Sequence, residues 1–321
     1  LQPAAPEIIN NHEQTGSIGR SVLYLVIVLL IPLLAFLSIF PIARTGLFIR
    51  TSKRSFWHAM EYQFSDRPEQ CDVVIFGDST ALMGADPRII EARTGLKTCN
   101  FGLTYLGLAT TGNLALDHYL AAHKAPKFIV MEILAAHLRP PALDDESGII
   151  DGFLIADRKL HPIQAAKLFL GHPKDSFYFA AQLWKQLISF TPSTSPDLSQ
   201  RTYQRDITSM AEHEGYLSTQ IPGGNTDCFY QFHHVNFSRS YIAGLRRYET
   251  KNTKVLIWPS PVRHCDTNLN AYKMGTAFLG VPAPLVFDDD EFVDAQHLSS
   301  IGVKQNSEAI ADAILQASKP K

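Results

Sequence analysis

Cysteine is scarce: only Cys71, Cys99, Cys228 and Cys265 occur, and no two of them form a C-x-x-C pair. A zinc ribbon or similar structural metal site needs closely paired ligands, so that class is excluded. Gly77 opens no G-x-G-x-x-G run, which removes the fingerprint of a dinucleotide cradle. An excess of one charge is also missing, because Lys and Arg total 29 against 31 Asp and Glu, a net charge of -2. Phosphate backbones are held by basic fields, so nucleic acid is not an expected partner. Between Arg20 and Arg44 charge of either sign is absent altogether.

What is present is a chain of 321 residues, 45% hydrophobic, enough to bury one α/β core with an elaboration. The uncharged run Ser21 to Ala43 is rich in Leu, Ile, Val and Phe, and has the length of a transmembrane helix. Pro32 within it is tolerated in lipid where freed carbonyls find partners. A cleaved signal peptide is the competing reading, but its apolar region is shorter, and Pro41-Ile-Ala-Arg-Thr-Gly46 makes a poor cleavage site. The expected division is an N-terminal tail over 1–20, one transmembrane helix over 21–43, a juxtamembrane linker over 44–70 and a folded domain over 71–321. Arg20 stands alone before the helix, whereas Arg44, Arg50, Lys53 and Arg54 follow it, so flanking charge directs the domain to the cytoplasm. Leu47, Phe48 and Ile49 among those cations suit a short interfacial segment.

After Phe56, strand and helix patterns alternate. Continuous apolar runs at Val73–Phe76, Phe128–Met131, Val255–Trp258 and Leu285–Phe287, with the more polar Lys97–Phe101, are expected as strands buried on both faces. Helical stretches fall between them at Pro87–Arg93, Thr110–His123 and Ser238–Thr250, with a last one at Gly302–Gln316. This rhythm predicts a doubly wound parallel sheet, whose ligands bind beyond the carboxyl ends of the strands. Residues 135–236 interrupt it and predict an inserted helical subdomain. It has an amphipathic helix with Phe177, Ala180, Ala181, Trp184, Leu187 and Ile188 on one face. A lid or partner-docking surface is one role for that insertion, and plain covering of the sheet is the other.

Val73-Val-Ile-Phe-Gly-Asp-Ser-Thr80 is a buried strand running into a turn. The Ser79 hydroxyl would stand at the carboxyl edge of the sheet, beside backbone N–H groups that can bind an oxyanion. Serine is a weak nucleophile and needs a base, which in turn needs an orienting partner. Asp294-Ala-Gln-His297, between the last strand and the last helix, supplies both. Asp294 would hold Nδ1–H of His297 while Nε2 faces Ser79. Taken singly, Ser79 is equally a helix N-cap and Asp294 with His297 a surface turn.

These blocks resemble the SGNH/GDSL hydrolase superfamily over about Cys71 to Leu315. Gly77-Asp78-Ser79 is similar to its first block, Asn100-Phe101-Gly102 to its second and Asp294-Ala-Gln-His297-Leu298 to its last. The resemblance implies a flavodoxin-like three-layer α/β/α sandwich and ester chemistry, with Ser79, His297 and Asp294 catalytic and the N–H groups of Ser79 and Gly102 forming the oxyanion hole. One departure stands out: the family's third block carries an asparagine after the third strand, but here Val130-Met-Glu-Ile-Leu-Ala-Ala-His137 has none. Either another donor serves, Asn113 being conceivable, or two backbone groups act alone. A membrane-tethered domain lacking that asparagine resembles the subgroup that works with membrane-bound O-acyltransferases. That likeness implies acyl transfer to or from an extracytoplasmic polysaccharide by a single-pass protein of a bacterial inner membrane, its domain in the periplasm, against the charge asymmetry.

No cofactor and no metal is expected. His233-His234 and His264-Cys265-Asp266 lack the helical spacing of zinc enzymes, and Asp288-Asp-Asp-Glu291 reads as a solvated acidic face. Asp78 supports the turn and is not the triad acid. Cys228 and Cys265, in polar stretches, can pair in an oxidising compartment, while Cys71 and Cys99 flank or occupy buried strands; four free thiols is the alternative.

Overall fold

Val73, Val74, Ile75 and Phe76 are apolar without alternation because both faces of their strand are covered, and all four are buried. The computed structural model describes residues 12–143, 149–188, 196–218 and 235–319. β1 (Val73–Gly77), β2 (Thr98–Asn100), β3 (Phe128–Ile133) and an edge strand, Lys254–Pro259, form a parallel sheet in the order β2, β1, β3, edge. Register aligns Gly77, Glu132 and Trp258 in one row at the carboxyl end.

Alternate residues divide between two cores. Val74, Phe76, Ile129 and Met131 share one with Phe153 and Phe179 from the inserted region. Val73, Ile75 and Val130 share the other with Ile90, Ile310 and Ile314, the last two from the terminal helix Ser300–Ser318. The strand expected at Leu285–Phe287 does not join this sheet. Val286–Phe287 pairs instead with Val262–Arg263 in a separate two-stranded ladder. Pro259 and Pro261 carry no N–H, so the ladder cannot run straight on from the edge strand.

The inserted region contains four helices among its described residues: Ile149–Lys159, Pro162–Gly171, Pro173–Ile188 and Pro196–Glu212. Phe153 and Phe179 are fully buried, so the first and third complete one face of the sheet. The helix Pro173–Ile188 turns differently from its expected apolar face. Ser176, Phe179, Ala180 and Leu183 are buried, whereas Phe177 is 65% and Ile188 78% exposed. The core already holds the rings of Phe153 and Phe169, and Phe179 at 5.8 Å from each fits there in place of Phe177.

The transmembrane helix expected over 21–43 is not found. Among the described residues no helix is long and apolar enough to cross a membrane. The run is divided between α1 (His12–Leu37) and α2 (Ile39–Arg44), and α2 buries Ile39 and Ala43 in the domain core. The remaining apolar part, Ser21 to Leu37, reaches roughly 25 Å at 1.5 Å per residue, short of the ~30 Å of a hydrocarbon core. The expected linker over 44–70 is folded too, with helices Leu47–Arg50 and Ser55–Gln63. Trp57 and Met60 are buried, and His58 Nδ1 bonds Asp206 at 2.7 Å. Arg158 pairs with Glu61 and donates to the carbonyl of Arg44 at 2.6 Å, locking this segment to the inserted helices.

Cys71 and Cys99 form a disulfide that joins the approach to β1 to β2. Cys265 is also disulfide-bonded. Its expected partner, Cys228, lies outside the described residues, as do His233 and His234.

Candidate active site

Gly77 ends β1 where only glycine fits, since a Cβ there would lie 1.6 Å from the carbonyl oxygen of Glu132. The chain then turns on Asp78, the N-cap of the short helix Ser79–Gly84. Asp78 is buried, its Oδ1 accepting from Thr80 N–H at 2.9 Å and Thr80 O–H at 2.7 Å, and its Oδ2 from Leu134 N–H at 3.0 Å. The carboxylate thus ties the turn after β1 to the chain after β3. Ser79 follows at the first helical position, where the backbone N–H has no intrahelical acceptor.

On the opposite side the segment 288–299 is folded into a closed loop. Asp288 and Glu291 cap each other around a 3₁₀ turn, Phe292 bridges Leu298, and Val293 N–H donates to the carbonyl of His297 at 2.9 Å. The acidic run therefore shapes this loop instead of forming a merely solvated face. Asp294 Oδ1 accepts from the N–H groups of Gln296 at 2.9 Å and His297 at 2.8 Å, which leaves Oδ2 for the imidazole. Oδ2 lies 2.7 Å from His297 Nδ1, and His297 Nε2 lies 2.9 Å from Ser79 Oγ.

Three residues separated by up to 218 positions thus meet in the order hydroxyl, imidazole, carboxylate. Nδ1–H donates to Asp294 and Ser79 Oγ–H donates to Nε2, the arrangement in which a hydroxyl loses its proton as it attacks. Burial raises the carboxyl pKa of Asp294, but the bond and charge of His297 with the two amides overcome it and bring the value down to about 2. Asp294 is ionised at neutral pH and ready to stabilise an imidazolium.

Gly102 has another task than the one expected. Its N–H donates to Asn100 Oδ1 at 2.7 Å, while Asn100 Nδ2 donates to the carbonyls of Ala81 at 2.6 Å and Ala85 at 3.0 Å. Because that amide clamps the nucleophile's helix, its oxygen is turned onto Gly102, and the N–H does not point at an oxyanion. Glycine is still required, since a Cβ would sit 2.4 Å from Leu82 N. Asn113 is not brought to the site either. It stands at the N-cap of the helix Leu114–Ala122 without a side-chain capping bond, and its side chain bonds Tyr248.

Two supports were not legible as site residues. Arg263 donates to the carbonyl of Asp294 at 2.8 Å and its guanidinium lies over the Phe292 ring, bracing the loop that carries the base. Its only signal was a cation just past the carboxyl end of an apolar strand. Glu132 sits beside Gly77 in the register, fully buried, and accepts from Asn306 Nδ2 at 2.9 Å. Asn306 also donates to the carbonyl of Gly84 at 2.9 Å and accepts from Trp258 Nε1 at 2.9 Å. Burial raises the Glu132 pKa well above the usual carboxylate range, the Asn306 bond opposes it and the Asp78 charge adds to it. This buried acid underpins the turn through Asn306; its signal was one acid inside an otherwise apolar strand.

His264, Cys265 and Asp289 bring potential metal-ligand atoms within 4.8 Å of one another. Cys265 is held in a disulfide and has no thiolate to offer a cation. No family model, curated protein or solved structure matches this chain.

Proposed function

We propose that this chain is a serine acyl-transfer enzyme, moving acyl groups to or from hydroxyls of an extracytoplasmic polysaccharide. The carrying observation is the line of contacts from Ser79 Oγ through His297 to Asp294, at 2.9 and 2.7 Å. Ser79 Oγ attacks the acyl carbonyl and passes its proton to His297 Nε2. The tetrahedral oxyanion is held by Ser79 N–H, and the imidazolium protonates the departing alkoxide. A sugar hydroxyl or water then gives its proton to His297 and attacks the acyl-serine, and as the ester bond to Oγ breaks the imidazolium returns that proton to Ser79. No cofactor enters this cycle.

The strand order, with β1 central between β2 and β3, supports the flavodoxin-like sandwich that the resemblance to SGNH/GDSL hydrolases implies. Disulfides at Cys71–Cys99 and at Cys265 favour an oxidising compartment such as the periplasm over the cytoplasm indicated by flanking charge. The apolar, exposed surface of α1 supports attachment to lipid; the partner and acyl source, a membrane-bound O-acyltransferase, is what the resemblance implies.

A fluorophosphonate probe followed by tryptic mass spectrometry tests the reading. Label is expected on Ser79 and on no other serine, and its absence from Ser79 in folded protein would remove the enzyme. Fast release of p-nitrophenol from p-nitrophenyl acetate without any glycan would identify a stand-alone esterase instead.

A further inference from the structure

Four consecutive residues of α1, Val22, Leu23, Tyr24 and Leu25, are 55%, 58%, 68% and 60% exposed, and together they complete a helical turn. Past Arg20, the turns from Val22 to Ile31 expose apolar side chains on every side of the helix. A partner helix covers one stripe, whereas hydrocarbon covers the whole circumference. At its carboxyl end α1 meets the inserted helices, with Phe36 stacked on Phe177 at 5.2 Å, and Phe40 of α2 tilted against Phe169 at 4.9 Å.

Between these rings runs a groove of about 590 Å³, lined by Phe36, Phe40, Ala166, Phe169, Leu170 and Phe177. Its lip continues the apolar surface of α1, since Ile163, Leu170 and Phe177 are 61%, 81% and 65% exposed. Two charged side chains interrupt the lining. Arg44 is one, and Asp157 is the other, only 3% exposed, with no hydrogen-bond partner for its Oδ2. A buried carboxyl oxygen without a partner in the protein is costly. That oxygen calls for an occupant with a polar end.

We propose that the groove holds one acyl chain of a bilayer phospholipid, its methylenes against Phe36, Phe40, Phe169 and Phe177 and its ester and phosphate at Asp157 and Arg44. The inference rests on the reading that α1 lies in lipid, and adds that the inserted helices take a lipid out of the leaflet around it. Burial raises the Asp157 pKa to about 7 against the opposing charges of Arg44 and Arg158, so its carboxyl can be a donor to an ester carbonyl. An apolar peptide helix in the groove has its backbone hydrogen bonds already paired and would leave Oδ2 unsatisfied.

The experiment reconstitutes the full chain in phosphatidylcholine vesicles containing a trace of phosphatidylcholine with a diazirine near the end of one acyl chain. After photolysis, labelled peptides are mapped. Label is expected on α1 and also on residues 162–177. Ala166→Trp, at an exposed lining position, fills the groove; it should abolish label on 162–177 while label on α1 and fluorophosphonate capture at Ser79 persist. Label on α1 alone in the unsubstituted protein overturns the groove, and leaves the lipid attachment standing; a second copy or a partner helix in the groove gives this result. Label on neither overturns both. Label on 162–177 that survives Ala166→Trp also overturns the proposal, since it would come from contact outside the groove.

Discussion

Replacing Asp78 with alanine removes the carboxylate on which the nucleophile's turn is hung. Two buried amides, those of Thr80 and Leu134, lose their acceptor at 2.9 and 3.0 Å, while the Thr80 hydroxyl can rotate elsewhere. Stranding a buried amide costs about 1–3 kcal/mol, so the pair places the loss near ~4 kcal/mol, with the missing N-cap already counted in it. Against a total stability of roughly 5–15 kcal/mol the variant stays folded but is weakened. Urea unfolding followed by tryptophan fluorescence gives the loss, and the fluorophosphonate labelling rate of Ser79, measured without urea, reports the turn. Both should fall. Asp294→Asn is the comparison: the Asp294 side chain is half exposed, so the change should cost only roughly 1 kcal/mol. Labelling should nevertheless slow by about 10³–10⁴-fold, as removal of a triad acid does. A loss below about 1 kcal/mol for Asp78→Ala, with labelling intact, would refute the claim that Asp78 holds the nucleophile in place.

Removing the Cys71–Cys99 disulfide, which spans 28 positions, by the double substitution Cys71→Ala and Cys99→Ala should lower stability by about 3–4 kcal/mol from loop-closure entropy, read as a drop in the urea midpoint under non-reducing conditions, where the disulfide at Cys265 stays intact. Asp157 holds its proton in the folded chain up to about 7 but only to an ordinary carboxyl value when unfolded, so stability should fall as pH rises between those values and level off above. Asp157→Asn should flatten that slope, and an unchanged stability–pH curve would contradict it. Gly77→Ala should yield no folded protein, because its Cβ meets backbone oxygen at 1.6 Å; a soluble variant with native circular dichroism would show that β1 and β3 can separate there.

The sheet was largely legible, since runs such as Val73–Phe76 and Phe128–Met131 are apolar on both faces only when a strand is covered twice. Leu285–Phe287 had the same look but pairs elsewhere, because the prolines at 259 and 261 act through a neighbouring strand and leave no mark on residues 285–287. The run 21–43 misled for a related reason. Continuous hydrophobicity does not distinguish residues meant for hydrocarbon from those, like Ile39 and Ala43, buried in protein. The apolar residues of the helix Pro173–Ile188, Phe177 and Ile188 as well as Phe179 and Leu183, spread over a broad arc, and only the place already taken by Phe153 and Phe169 decides which part of it turns inward.

By itself the chain's order of residues determined the local pieces of the candidate site: a strand ending in Gly77-Asp78-Ser79, and an Asp294-x-x-His297 turn whose carboxylate reaches its own imidazole across three residues. Such pieces are short-range, and their geometry follows from bonded neighbours. Only the tertiary structure decided that His297 meets Ser79, that Gly102 gives its N–H to Asn100, that Arg263 and Glu132 brace the site, and that α1 and the inserted helices enclose a groove. Those contacts join residues far apart in sequence, and their partners are chosen by packing around a common core, which no local pattern encodes.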